Sequence, residues 1–517
     1  MSVVVPGGTI LICNNVPLIN NYLDTLWFDD KQQQYTYFVS KVKYRLENYT
    51  YMRVNEALRV EIPAESLYDC NYLVFRNDTF GTKYFYAFIT SVTYINNETS
   101  EIKYELDVMQ TWHFDYELKQ CFVERQHSLT DTPGDNLIPE QLETGEFVFE
   151  KQAPPYATDL DVMIATTFHI SAEGVSKDGT LRPTFGQVQS GLEYTILKQD
   201  RINTVLSEID AEGLADGVVS IFLFPRAFAS TSADYEFHPQ NKITYVTSKY
   251  ARPEKIGTYL PKNKKLLTAP YVDLLLDNLN GNSAAYCYEY ANNGEIEIKQ
   301  VCIPSCNPEI VAYPTSYKGV LENFQEKICM QGFPQAAYSS DVYKVWLAQN
   351  SSSLSTNAIS SVFSIIGGAL LFAASKGSAA PAAYGMVSGG IAGVASSLAE
   401  ISDKRKLPSQ ASGASGGDTI AAIGELYIHI YKRRIREEYA KIIDEYFNAY
   451  GYKINRVVVP NRTARPCWTY VKTQGCLALG SVPADDMRKI CSVYDNGVRW
   501  WKRPEYYGNY ELDNSPA

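Results

Sequence analysis

The chain is 517 residues long, more than one hydrophobic core organises, and its 45% hydrophobic and 20% charged residues exclude wholesale disorder and a polytopic membrane protein. Forty-seven Lys and Arg against 58 Asp and Glu leave a net charge of −11, which argues against gripping nucleic acid by phosphate neutralisation but not against letting DNA slide past. Thirty-nine Tyr and 13% aromatics, with only five His and seven Met, point to a mainly β structural protein and away from helical bundles and His-based metal sites.

In chain order, Met1 to Gly8 lacks a basic n-region and is broken by Pro6, Gly7 and Gly8, so it reads as a first strand and not as a secretory signal; the chain is expected to be made and folded in a cytoplasm. Ten scattered cysteines are too sparse for a disulfide scaffold, and most are expected to be buried free thiols. Lys83 to Ile89 is apolar on both faces, Ile102 to Val108 alternates apolar and charged residues, and Asn96-Asn97-Glu98-Thr99 supplies a turn, which predicts a long hairpin. Farther on, Tyr286 to Tyr290, Asn293-Gly294 and Glu295 to Lys299 predict a second, tight hairpin.

From Val345 to Ala399 the composition changes: 55 residues carry a single charge, Lys376, and Gly, Ala and Ser fill 26 of the 42 positions from Ala358 to Ala399. Two apolar stretches, Ala358 to Ala374 and Ala379 to Ala399, flank Ser375-Lys376-Gly377-Ser378, and each approaches the roughly 20 residues that cross a hydrocarbon core. A helical hairpin is the expectation. Its apolar surface comprises Phe363, Ile365, Ile366, Leu370, Leu371, Phe372, Met386, Val387, Ile391, Val394 and Leu398, while Gly385, Gly389, Gly393 and Ser397 recur every fourth residue and allow close backbone approach. The blander alternatives are a helical pair buried in the core and a low-complexity loop. Exposing such a stretch in water is costly, which favours shielding in one state and lipid insertion in another.

Gln410 to Asp418 is a Ser/Gly linker, Leu426 to Tyr431 a strand, and Ile435, Tyr439, Ile442, Ile443, Tyr446, Phe447 and Tyr450 one helix face ending at Gly451. A shorter helix spans about Pro483 to Tyr494, before a tail carrying Trp500 and Trp501.

No phosphate-binding Gly loop, nucleophile elbow or His-Glu-x-x-His is present, so no catalytic residue, cofactor or metal is assigned. Cys302 and Cys306 lack a second ligand pair, Glu61 with Glu65 and Asp485 with Asp486 are chance neighbours in an acidic chain, and His113 and His127 read as structural. The basic runs at Lys262 to Lys265, at Lys432, Arg433, Arg434 and Arg436, and at Arg499, Lys502 and Arg503 read as solvated faces or subunit contacts.

Tyr72 to Phe75, Gly81 to Phe88, Tyr104 to Trp112 and Arg125-Gln126-His127, then Tyr450 to Val457 and Tyr494 to Gly497, resemble the distal tail knob (major tail) proteins of small Picovirinae-type podoviruses of Gram-positive hosts. The likeness follows the order of the whole chain, strongly at both ends and weakly from about 130 to 340. It implies a mainly β (α+β) fold of tail-tube-like β-barrel domains in a homo-hexameric ring, and other tail proteins as partners: the proximal tail tube and tip or wall-degrading proteins. It further implies that the hydrophobic loops plug the channel and then enter the host cytoplasmic membrane, with double-stranded DNA passing without specific binding. The segments expected are 1–125, an N-terminal β tube domain; 126–344, a second β-rich region; 345–417, the plug loop and linker; and 418–517, a strand and helix region completing the tube. The competing readings are a wall-polysaccharide-binding adhesin and a tail-associated wall hydrolase.

Overall fold

Period-two alternation builds the first sheet. In Thr99–Leu106 the residues Ser100, Ile102, Tyr104 and Leu106 are buried and Lys103 is exposed, and the partner strand Tyr84–Asn96 buries four successive residues, Phe85 to Phe88, before its outer half turns to solvent. This is the long hairpin read from the sequence. The computed structural model describes residues 7–49, 56–77, 81–153, 160–171, 174–176, 193–214, 217–228, 235–238, 245–303, 309–315, 317–319, 327–330, 335–337 and 427–516. They are mostly β, with a sheet curled into a half-barrel.

The chain forms two compact units that trade segments: residues 1–146, 254–271 and 435–517 make the first, and 147–253 and 272–434 the second. In the first unit an antiparallel six-stranded sheet runs in the spatial order Val42–Glu47, Gly8–Asn14, Cys70–Asn77, Tyr84–Asn96, Thr99–Leu106, Ala57–Val60. A five-stranded sheet takes Asp24–Leu26, Val498–Trp501, Trp468–Gln474, Cys121–Gln126 and Tyr452–Val458, so residues expected in the separate segments 1–125 and 418–517 share one sheet.

Aromatic packing fills the core between these elements. The helix Lys31–Val39, capped by the Asp30 carboxylate on Gln33 N at 2.7 Å, stacks Phe38 on Tyr72 at 5.0 Å. The fully buried Asp107 accepts from Tyr72 Oη at 2.8 Å and from Met109 N and Gln110 N at 3.0 and 3.1 Å; burial nevertheless pushes its pKa up to about 6. Gln110 then donates to Thr25 Oγ1 and Leu26 O. The tail indoles Trp500 and Trp501 are buried, and Trp501 Nε1 donates to Asp24 at 2.8 Å.

The predicted amphipathic helix is Glu437–Tyr450, burying Ala440, Ile443, Asp444, Phe447 and Asn448; of the residues expected on its face, Ile435 instead ends the strand His429–Ile435, and Ile442 and Tyr450 are exposed because the buried stripe is narrower than the apolar one. It ends at Gly451, whose N–H donates to Phe447 O at 2.8 Å, with φ 65° and ψ −157°, a region only glycine enters freely. A Cβ there would lie 2.3 Å from the Gln126 carbonyl carbon. Gly451→Ala is therefore expected to cost about 2 kcal/mol or more, read as a lower denaturant midpoint at unchanged slope; an unaltered midpoint would contradict this packing. The last helix, Ala484–Asn496, follows Pro483 as predicted, and its Asp486 accepts from the Trp112 indole at 3.0 Å while Asp485 pairs with Arg488.

His127 is buried with both ring nitrogens committed: Nδ1 accepts from Tyr470 N at 2.8 Å and Nε2 donates to Asn448 O at 3.1 Å. Burial holds its pKa down to about 3 and that of His113 to about 4, so both stay neutral. Between about pH 6.5 and those values the unfolded chain binds the extra protons, so their contribution to stability falls as pH falls. The stability advantage of the wild type over His127→Gln should narrow by about 2 kcal/mol from pH 7 to pH 5, and a constant difference would exclude this assignment. Comparing variants cancels the opposite contribution of Asp107, whose raised pKa favours the folded state at low pH.

Among its described residues the second unit holds three larger antiparallel sheets. Tyr235–His238, Glu193–Leu197, Leu160–Thr166, Val218–Pro225 and Gln335–Ala337 form one, and Tyr245–Ala251, Glu295–Ile303, Glu309–Thr315 and Ile328–Met330 another. Phe147–Lys151, His429–Ile435, Val272–Asp277 and Ser283–Tyr286 form the third. The tight hairpin predicted at Asn293-Gly294 is not formed. Both residues do take left-handed dihedrals, φ 55° and 68°, but Tyr288 is buried in a 3-10 turn, Ser283–Tyr286 pairs with Val272–Asp277, and Glu295–Ile303 pairs with Tyr245–Ala251 instead. The local turn signal was met, and tertiary pairing chose other partners.

Candidate functional site: strands flanking the uncharged segment

The described strands that flank the uncharged segment belong to sheets of the second unit. Gln335–Ala337 is an edge strand, registered on Val218–Pro225 with Ala336 opposite Ile221. His429–Ile435, by contrast, is an inner strand, with Phe147–Lys151 on one side and Val272–Asp277 on the other in a register running from Val272 opposite Arg434 to Asp277 opposite His429. Residues 338–426 lie outside the described residues, and with them Phe363 to Leu398, the ladder Gly385, Gly389, Gly393 and Ser397, and the linker Gln410 to Asp418. Cys306 of the Cys302 pair does too; Cys302 itself is buried in Glu295–Ile303. Among the described residues no helix is long and apolar enough to cross a membrane.

Charge and aromatic stacking secure the re-entry strand. Arg433 makes a bidentate pair with Asp273, with Nε to Oδ1 at 2.8 Å, and this partner raises the guanidinium pKa. Arg434 Nε meets Glu150 Oε1 at 2.5 Å, and Arg433 also lies over the Phe147 ring at 5.1 Å. Along alternate positions Tyr427, His429 and Tyr431 stack, with centroids at 4.8 and 6.1 Å, and Phe149 meets Tyr431 edge-on.

The basic run 432–436, read as a solvated face or subunit contact, thus places Arg433 and Arg434 in pairs within the unit. Sequence alone could not show this, because their acidic partners lie 160 and 284 positions away. In the first unit one residue of each other run is likewise paired, while Lys262, Lys264, Lys502 and Arg503 are exposed as expected of a solvated face. Lys265 and Arg125 enclose the buried Glu140, with Lys265 Nζ at 2.6 Å, and Arg499 binds Asp24 at 2.8 Å.

This architecture is shared with known proteins. Residues 234–515 match the family model of the C-terminal domain of Bacillus phage phi29 tail knob protein gp9, and residues 6–117 match that of the caudoviral major tail protein N-terminus. The chain is 24% identical over 595 aligned residues to the tail knob protein gp9 of Bacillus phage phi29, and 24% identical over 591 to that of Bacillus phage B103, covering 98% of each chain in both cases. The solved tail knob protein gp12 of bacteriophage C1 superposes with a TM-score of 0.62 at 14% identity, covering 97% of this chain and 98% of that one, which establishes the common fold. With the first family model spanning more than half of its length, the chain belongs to the phi29 gp9 tail knob family and is a structural protein of a phage tail.

Proposed function

We propose that the protein assembles as a homo-hexameric tube at the distal end of the tail, conducts the genome during ejection, and uses residues 358–399 first as a channel plug and then as the membrane-penetrating element. The observation that carries this reading is a 55-residue stretch with a single charge, set between paired strands of a tail knob protein. Such a stretch is stable only when shielded from water, by neighbouring copies before infection and by lipid after it. The host membrane, the transiting DNA and the other tail proteins are its partners; no bond is made or broken. Segment 345–417 is the plug and linker, with 1–125, 126–344 and 418–517 supplying the tube wall. An image of purified particles tests the arrangement: a six-fold ring with a closed end is expected, and a trimeric spike would overturn it.

The acidic balance suits a conduit, since lumenal carboxylates repel the DNA backbone and keep it moving. The assembled channel is therefore expected to expose excess Asp and Glu, with Lys and Arg collected at subunit seams where they pair across the interface; a strongly positive lumen in a structure of the assembly would refute this.

The glycine ladder gives a second test. Replacing Gly389 and Gly393 by Leu preserves apolarity, so liposome partitioning should be unchanged, while release of liposome contents should be lost because helices in hydrocarbon associate through close packing. Leakage equal to the wild type would remove the packing role of the ladder and leave only the plug.

A further inference from the structure

Three of the ten cysteines converge in the first unit from distant parts of the chain. Cys121 opens Cys121–Gln126, Cys476 lies between Trp468–Gln474 and Ala478–Gly480, and Cys491 is on the helix Ala484–Asn496. The short ladder of Ala478–Gly480 with Tyr116–Leu118, extended by a 2.8 Å bond from Lys119 N to Leu477 O, sets the first two side by side. The helix packs against Trp468–Gln474 and delivers the third. The Cys476 thiol is central, adjoining both Cys121 and Cys491, and Asp495, which holds the Cys476 backbone, lies one helical turn beyond Cys491 on the same helix face. Its backbone is fixed as well: Cys476 N donates to Asp495 Oδ1 at 2.9 Å, an oxygen that also accepts from Thr473 Oγ1 at 2.7 Å. All three are free thiols, with Cys121 and Cys476 buried and Cys491 half-buried.

We propose that Cys476 and Cys491 are a redox modification site, closing into a disulfide that staples the loop after Trp468–Gln474 to the helix Ala484–Asn496 when the protein meets a small-molecule disulfide. The more accessible Cys491 reacts first. Its thiolate attacks one sulfur of the oxidant, forming a mixed disulfide and releasing one thiolate; the Cys476 thiolate then attacks the Cys491 sulfur, forming the Sγ–Sγ bond and expelling the second. Two protein thiols are oxidised, one disulfide is reduced to two thiols, and no other reductant or oxidant is required. Burial raises the pKa of all three thiols, so the reaction is slow at neutral pH and the reduced form persists in a reducing compartment. The site is independent of the hexamer and membrane readings.

Incubating the purified full chain with oxidised glutathione at mildly alkaline pH tests this. Peptide mapping should find one new intramolecular bond between Cys476 and Cys491, with the mass of two hydrogens lost, reversal by dithiothreitol, and a thermal midpoint raised by several degrees. Cys491→Ser should abolish the bond and Cys121→Ser should retain it. A bond from Cys476 to Cys121, glutathione retained on Cys491, or unmodified thiols under conditions that oxidise the urea-unfolded chain would each overturn the proposal. Should a serine variant fail to fold, the wild-type peptide map alone decides the question.

Discussion

Particles carrying a deletion of residues 358–399 are expected to adsorb to cells normally and to deliver no DNA. The deletion is expected to leave the tube intact because both flanks have partners of their own: Gln335–Ala337 on Val218–Pro225, and His429–Ile435 between two strands with Arg433 locked on Asp273. Shortening a long connection changes its closure entropy only slightly, by about 0.6 kcal/mol per twofold change in length. The measurement is adsorbed particles against infective centres, with infectivity lost by orders of magnitude at equal adsorption. An insoluble or monomeric product would instead place the segment in the structural core, and full infectivity would remove its role in delivery. Because wall binding and wall hydrolysis by the same protein would survive the deletion, glycan-binding and zymogram assays of the deleted protein separate those activities from the one proposed.

The second large effect is expected at Asp444. This carboxylate, buried in the helix Glu437–Tyr450, accepts from Tyr259 Oη and Lys262 N at 2.7 Å, Asn263 Nδ2 at 2.8 Å and Asn263 N at 3.0 Å. Those donors belong to residues 254–271, the excursion that the chain makes into the first unit from the middle of its sequence. Asp444→Ala leaves the buried Asn263 N and Nδ2 without an acceptor and releases the half-buried Tyr259 hydroxyl and the Lys262 N–H, and a loss of about 3–5 kcal/mol is expected from urea unfolding. Asp444→Asn keeps one acceptor oxygen and should lose clearly less. Burial raises the Asp444 pKa, so its protonated form favours the folded state at low pH and that contribution fades as pH rises through the folded-state value; the gap between the two variants and the wild type should be read at one pH. Equal losses for Ala and Asn would show that hydrogen bonding is not what the site supplies.

Patterns with a short range were legible in the sequence. Alternation located Thr99–Leu106, the apolar run located the buried arm of Tyr84–Asn96, and helical spacing located Glu437–Tyr450 with its glycine stop. Interactions between distant residues were not. Asn293 and Gly294 turn as expected, yet the choice between a hairpin and a 3-10 turn was made by Tyr288 entering the core and by strands supplied from elsewhere. The basic run around Arg433 looked solvated because Asp273 is invisible at that range, and the thiol cluster was hidden because Cys121 and Cys476 meet only through the pairing of Tyr116–Leu118 with Ala478–Gly480. Of the candidate site, composition exposed the uncharged segment itself, whereas the ladders that bracket it needed the fold.

The five-stranded sheet imposes an order on biogenesis. Asp24–Leu26 pairs in parallel with Val498–Trp501, and Trp501 donates its indole N–H to Asp24, so one strand waits for a partner translated 477 positions later. Until then Asp24–Leu26 lacks its neighbour, and the apolar stretch 358–399 is translated before the first unit is complete. A chain that lacks Val498–Trp501 therefore exposes an open sheet edge, a feature that seeds aggregation. A truncation that removes Val498–Trp501 is therefore expected to leave an aggregation-prone chain, which ties Trp500 and Trp501 to solubility as well as to core packing.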